Sequence, residues 1–176
     1  PGARAPRTGA VVTALYVVRH AIAEDQDEER WLDDAQRPLA PDGETSFRRA
    51  ARGLRAIVPS VDVVLSSPYV RAWRTAEILR EEARWPKPEP CEQLEAERSP
   101  AEALEPIRAL SERDAVAVVG HEPHLSGLVS LLLAGDADAV ALDLKKGAVV
   151  RLDLTGDAAV LRWLATPKML RLLSPR

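Results

Sequence analysis

Hydrophobic positions along the chain fall into short unbroken runs separated by longer stretches with helical spacing. Residues 15–18, 61–65 and 115–119 are largely apolar, β-branched runs of strand length, broken only by Asp62. Such runs read as strands buried on both faces, as in a parallel sheet. After the first run, residues 23–36 are polar and acidic, with Trp31 and Leu32 as apolar anchors, and read as a loop or short helical turn. Phe47, Ala50, Ala51, Leu54 and Ile57 then form one face of a helix over about 43–57, with Asp42 as its N-cap or first-turn acid. Pro59-Ser60 ends that helix. Pro68 suits the first turn of a second helix reaching about Ala83. Residues 85–90 form a proline-rich linker, and 91–94 a short strand. Ser99 and Glu102 make a capping box that opens a helix to about Ser111. A helix over 125–133 follows the third run. Residues 148–154 and 158–164 flank Thr155-Gly156-Asp157, a hairpin signal that adds antiparallel strands at one sheet edge. A short helix over 167–173 closes the chain. Strands alternating with helices predict an α/β fold around a mostly parallel sheet.

Length and composition narrow the class. The chain has 176 residues, 46% of them hydrophobic, which fits one globular domain over 14–176 with 1–13 as a mobile N-terminal extension. Lys plus Arg number 24 against 27 Asp plus Glu, and a net charge of −3 argues against general nucleic-acid binding. No apolar stretch reaches the roughly 18 residues of a membrane span. Arg4, Arg7 and the apolar run behind them imitate a signal peptide, but Arg19-His20 lies where its cleavage region would be. Cys91 is the single cysteine, so no internal disulfide forms, and a reducing, cytoplasmic compartment is expected.

The chemistry-bearing residues sit where the apolar runs stop. The first run ends in Arg19-His20, the second leads to Arg71 in the first turn of a helix, and the third ends in Gly120-His121. Ligands of open α/β sheets bind at the carboxyl ends of strands. A histidine there can attack a phosphoryl group through a neutral ring nitrogen. Arginine forks can hold the phosphoryl oxygens meanwhile. Phosphoryl transfer asks mainly for positioning and charge stabilisation. The histidines lack metal-ligand spacing with carboxylates, so neither metal nor cofactor is invoked. No G-x-S-x-G elbow points to a serine hydrolase.

Together these segments resemble the histidine phosphatase superfamily, the phosphoglycerate mutase-like fold. Arg19-His20-Ala21 resembles its R-H-G signature. Ser66-Ser67-Pro68, Arg71-Ala72 and Thr75-Ala76 resemble its S-S-P-x-x-R-A-x-x-T-A segment, and Gly120-His121-Glu122-Pro123 its G-H-x-P segment. Arg37-Pro38-Leu39 with Gly43 is similar to a stretch of the small SixA-like branch, the phosphohistidine phosphatases. The resemblance implies a three-layer α/β/α sandwich and a phosphohistidine intermediate. It makes His20 the nucleophile, and Arg19, Arg71 and His121 the groups that bind the phosphoryl group and stabilise its transfer.

Ala21 departs from the motif glycine, and Ala23 stands where mutases often carry a hydroxyl residue. Glu97 and Glu95 are the candidate acid–base carboxylates, Glu97-Arg98 being a little like the mutase Glu-Arg pair. The short stretch between Thr75 and Ala115 leaves no room for a large lid domain. An open site suits a bulky substrate. The reading is a metal-independent phosphatase acting on phosphohistidine in a protein. A small phosphomonoester substrate and an inactive phosphate- or phosphoprotein-binding module are the alternatives.

Overall fold

A computed structural model of the protein describes residues 12–175. Most of the expected N-terminal extension, residues 1–11, lies outside them, and Thr13 already belongs to the first strand. Six strands form one sheet in the order β3-β2-β4-β1-β5-β6. β1 (Thr13–Arg19), β2 (Val63–Ser66), β3 (Glu89–Pro90) and β4 (Ala115–Gly120) run parallel. β5 (Val149–Thr155) lies antiparallel to β1, and β6 (Ala158–Ala165) antiparallel to β5. The architecture is the expected α/β sandwich with an antiparallel edge.

Alternation along β1 explains the three layers. Tyr16 and Val18 face a core built with Phe47, Leu54, Ala72, Ala76 and Leu170, from α1 (Pro41–Ile57), α2 (Val70–Ile78) and α5 (Pro167–Leu172). Leu15 and Val17 face the opposite core, with Ile107, Leu125, Leu128 and Val129 from α3 (Leu104–Arg108) and α4 (His124–Ala134). Both faces are covered, so the strand reads as an unbroken apolar run.

Local chemistry sets the boundaries and corrects several expectations. Asp42 is a first-turn acid and not the cap, because Pro41 opens α1 and Ala40 precedes it without a side-chain cap. Pro68 lies outside α2, whose N-cap is Tyr69; Arg71 keeps its place in the first turn. The chain continues past α2 as a π turn over Leu79–Ala83. The strand expected over 91–94 falls at Glu89–Pro90 instead, and Glu92–Leu94 is a 3-10 turn. Pro90 has no N–H for the ladder, which confines this strand to an edge. Ser99 and Glu102 form the capping box, but the helix behind it stops at Arg108 rather than Ser111. Gly156, at φ 59°, makes the β5–β6 turn. Among the described residues no helix is long and apolar enough to cross a membrane.

Candidate active site

Adjacent parallel strands deliver the candidate residues to one rim. β2, β4 and β1 are neighbours, and Arg19 pairs with Gly120 in register. The ladder persists just beyond the strands: His20 N–H donates to the Gly120 carbonyl (3.0 Å) and Ser67 N–H to that of Val119 (2.9 Å). His20 and His121 therefore emerge side by side, their ring centroids 5.1 Å apart. Arg19, His20, Arg71, His121, Glu122 and Lys146 share the wall of one cleft of about 260 Å³.

His20 is buried, and its Nδ1 lies 2.7 Å from the carbonyl oxygen of Ala21. A carbonyl only accepts, so Nδ1 carries the proton and Nε2 keeps the lone pair. Burial drives the ring down from 6.5 to about 3, with Arg71, Arg19 and Lys146 adding to the effect and the Ala21 bond opposing it. His121 is pushed to about 2, first by burial and then by His20 and Arg71. Its Nε2 is 2.9 Å from Ser67 Oγ, which accepts from Tyr69 N–H at 3.3 Å. The tautomer that leaves fewest groups unpaired has Ser67 donating to Nε2 and the proton on Nδ1.

The arginines are held from behind. Arg71 donates through Nη1 to the Asp34 carbonyl (2.6 Å) and through Nη2 to its carboxylate (2.9 Å). Arg19 donates through Nη1 to the Leu144 carbonyl at 2.5 Å. Arg37 ties Asp34 (2.7 Å) and the Glu24 carbonyl (2.8 Å) together, so the Arg37-Pro38-Leu39 motif anchors the acidic loop beside the cleft. That anchoring holds the Asp34 carboxyl below its usual range, with the Arg37 bond as the main cause.

Arg19 Nε, Arg71 Nε and His121 Nδ1 are buried and have no hydrogen-bond partner among the described residues. Buried donors in native proteins are almost always bonded. Three such donors on residues lining one cleft with a neutral imidazole have the chemistry to hold a tetrahedral oxyanion.

Ala21 tolerates its non-glycine side chain because its backbone is ordinary; Arg84 is the one described non-glycine residue at positive φ. The Ala21 N–H donates to Thr75 Oγ1 (3.0 Å), whose hydroxyl donates to the Arg71 carbonyl (2.7 Å). Thr75 thus couples the loop after His20 to the helix carrying Arg71. Ala23 takes part in an isolated bridge with Leu39.

The structure does not bring Glu95 or Glu97 into the cleft; Ala96 between them lines it instead. Glu97 accepts from the Tyr69 hydroxyl, whose ring lies 5.0 Å from that of His121, and Glu95 pairs with Arg98 at 3.6 Å. Sequence reading passed over Glu122, the interior residue of the G-H-x-P segment, whose only signal was adjacency to His121. Burial raises its carboxyl. Glu122 Oε1 accepts from Ser126 N–H (3.1 Å), and Oε2 lies 2.6 Å from Ser126 Oγ, itself 2.9 Å from the Pro123 carbonyl. The serine has one proton. Its hydroxyl is within reach of both acceptors, and its bond to Oε2 opposes the upward push of burial on the Glu122 carboxyl.

Arg74 stays out of the cleft and pairs with Glu44, Glu77 and Glu81. His124 is buried away from the cleft lining. Among the described residues no cluster of three His, Cys, Asp or Glu side chains could hold a metal ion.

Residues 15–99 match the histidine phosphatase superfamily (branch 1). An uncharacterized protein of Picosynechococcus is 33% identical over 144 residues, spanning 78% of this chain and 83% of that protein. The chain belongs to the histidine phosphatase superfamily. A candidate phosphohistidine phosphatase, SixA, from Nakamurella multipartitia is 26% identical, with a TM-score of 0.73 over 89% of this chain and 96% of the other. A protein histidine phosphatase SixA complexed with tungstate superposes with a TM-score of 0.79, at 23% identity, over 88% of this chain and 97% of the other, which speaks for the fold. Superfamily membership supports phosphatase activity for a site of this geometry.

Proposed function

We propose that the protein is a phosphatase that forms a phosphohistidine on His20 and acts on phosphohistidine in a protein. The observation that carries this reading is the set of three unpartnered buried donors, Arg19 Nε, Arg71 Nε and His121 Nδ1, sharing a cleft with a histidine kept neutral. Nε2 of His20 attacks phosphorus, and the bond from phosphorus to the substrate nitrogen breaks. The departing nitrogen takes the proton of Glu122. Water then attacks phosphorus, Glu122 takes a proton from it, and the P–Nε2 bond breaks to return neutral His20 and free phosphate. Arg19, Arg71 and His121 stabilise the oxygens that gain charge in both steps. Likeness to SixA proteins supports the phosphohistidine substrate, as does a cleft open to a bulky partner. A tungstate complex of one such relative supports oxyanion binding in this fold.

A panel of a phosphohistidine-bearing protein domain and several phosphomonoesters tests the reading. The phosphohistidine domain is expected to have the highest kcat/KM. Higher turnover of a small ester assigns a phosphomonoesterase. Phosphate binding without turnover of any substrate assigns a binding module. Brief reaction and denaturation should trap an acid-labile, base-stable phosphoenzyme that His20→Ala lacks; its absence from the wild-type protein refutes the covalent step.

A further inference from the structure

We propose that a cationic groove beside the cleft docks an acidic stretch of the substrate protein next to its phosphorylated residue. This rests on the reading of the substrate as a phosphoprotein. The groove, about 340 Å³, begins where the cleft ends: Lys146 lines both, and Ala21 and Ile22, directly after His20, form part of its wall. Lys145, Lys168 and Arg171 complete its positive side, and among the described residues no carboxylate lines it.

These charges are not spent on internal pairing. Lys145 meets Asp143 at 2.7 Å, but both are strongly exposed, and such pairs contribute little. Arg171 donates to the neutral hydroxyl of Ser46 at 2.9 Å. Lys146 and Lys168 have no ion-pair partner among the described residues. Four positive groups share one groove on a chain whose net charge is −3. Glu24 and Asp25 line the cleft together with Lys146. The site therefore carries acidic and basic walls, and a polarised surface of this kind orients an incoming partner.

The groove is placed to read what lies beside the phosphoryl group. Gly147 N–H donates to the carbonyls of both Arg19 (3.1 Å) and His20 (3.0 Å), which ties the lysine loop to the catalytic strand. A phosphoryl group needs only the cleft, so the groove serves the rest of the substrate. Carboxylates suit it better than a second phosphate. Three of its four cations are exposed lysines, hydrated point charges on flexible stems, in contrast to the buried guanidinium of Arg71. Phe47 and Ile22 add apolar wall for the stems of acidic side chains.

The double variant Lys145→Glu/Lys168→Glu tests this, because neither residue lines the cleft. Its kcat/KM for p-nitrophenyl phosphate should stay within about twofold of wild type, which establishes an intact fold and catalytic centre. A fluorescent hexaglutamate peptide without phosphate should bind wild type in low salt and bind the variant about tenfold more weakly, with wild-type binding lost as salt rises. Turnover of a phosphohistidine domain with an acidic flank should fall by a similar factor, and neutralising that flank should remove the difference. Equal binding of hexaglutamate to both proteins, or to neither, overturns the inference. So does a loss confined to inorganic pyrophosphate, which would assign the groove to a small polyanion. Lysine-dependent hexaglutamate binding without turnover of phosphohistidine upholds the acidic docking groove and overturns only the choice of phosphorylated residue.

Discussion

Nδ1 of His20 donates to the carbonyl of Ala21, its own neighbour in the chain, across 2.7 Å. The bond fixes which nitrogen is basic before any substrate arrives. Burial keeps the ring neutral, and the same holds for His121. A histidine free in the unfolded chain binds a proton below about 6.5, whereas the folded protein refuses it until about pH 3 for His20. The stability contributed by two neutral rings is thus complete above about 6.5 and declines as pH falls toward 3. Denaturant unfolding at pH 7.5, 6 and 5 should show this loss. His20→Gln should flatten the slope by up to roughly 1.4 kcal/mol per pH unit; an unchanged slope contradicts the burial argument.

Arg71 is clamped by Asp34 and leaves Nε free, so its geometry matters as well as its charge. Arg71→Lys keeps the charge and loses the planar fork. We expect kcat to fall about a hundred- to a thousandfold and inorganic phosphate to inhibit less well. Near-normal turnover would show that Arg71 supplies charge alone.

Glu122→Gln keeps the shape of the carboxyl and removes its titratable proton. Steady-state rates across phosphomonoesters of graded leaving-group acidity check its role. In kcat/KM, which reads only the first phosphoryl transfer, alkyl esters should lose about a hundredfold or more, while p-nitrophenyl phosphate, whose leaving group departs without a proton, should lose little. Uniform losses across the series would make Glu122 a structural residue.

Gly43 packs against the loop that follows the nucleophile. A methyl group there would lie 2.2 Å from the Ile22 carbonyl oxygen and 2.8 Å from its Cβ. Gly43→Ala should destabilise the fold by about 1–3 kcal/mol through overpacking and lower activity as the loop shifts. Denaturant midpoints and kcat measured together test both effects.

The donor groups in the cleft do not assemble into a metal site among the described residues. Activity is therefore expected to survive prolonged treatment with EDTA. Loss on chelation with recovery by one divalent ion would contradict a mechanism built on His20 and the arginines.

The apolar runs of β1 and β4 were legible because strands covered on both faces need hydrophobic residues at every position. The rim residues were legible because parallel neighbours must release Arg19, His20 and His121 at the same end. Glu122 was not legible: burial is what raises its carboxyl, and burial of a residue beside His121 is something no spacing encodes. The clustering of Lys145 and Lys146 with Lys168 and Arg171 was hidden for a related reason, since α5 returns to α1 from the far end of the chain. Glu89–Pro90 escaped notice because a two-residue edge strand has too few side chains to form a pattern.

The Thr155-Gly156-Asp157 turn lies at the end of the sheet opposite the catalytic rim, because β5 starts beside β1's carboxyl end and runs away from it. Gly156 has nothing within 4 Å of where a side chain would begin, and the nearby Arg108–Asp157 pair is highly exposed. Foreign sequence spliced in at this turn would meet solvent instead of packing. A fluorophore or capture tag placed there reports on the protein while leaving the cleft, the lysine groove and any docked partner untouched.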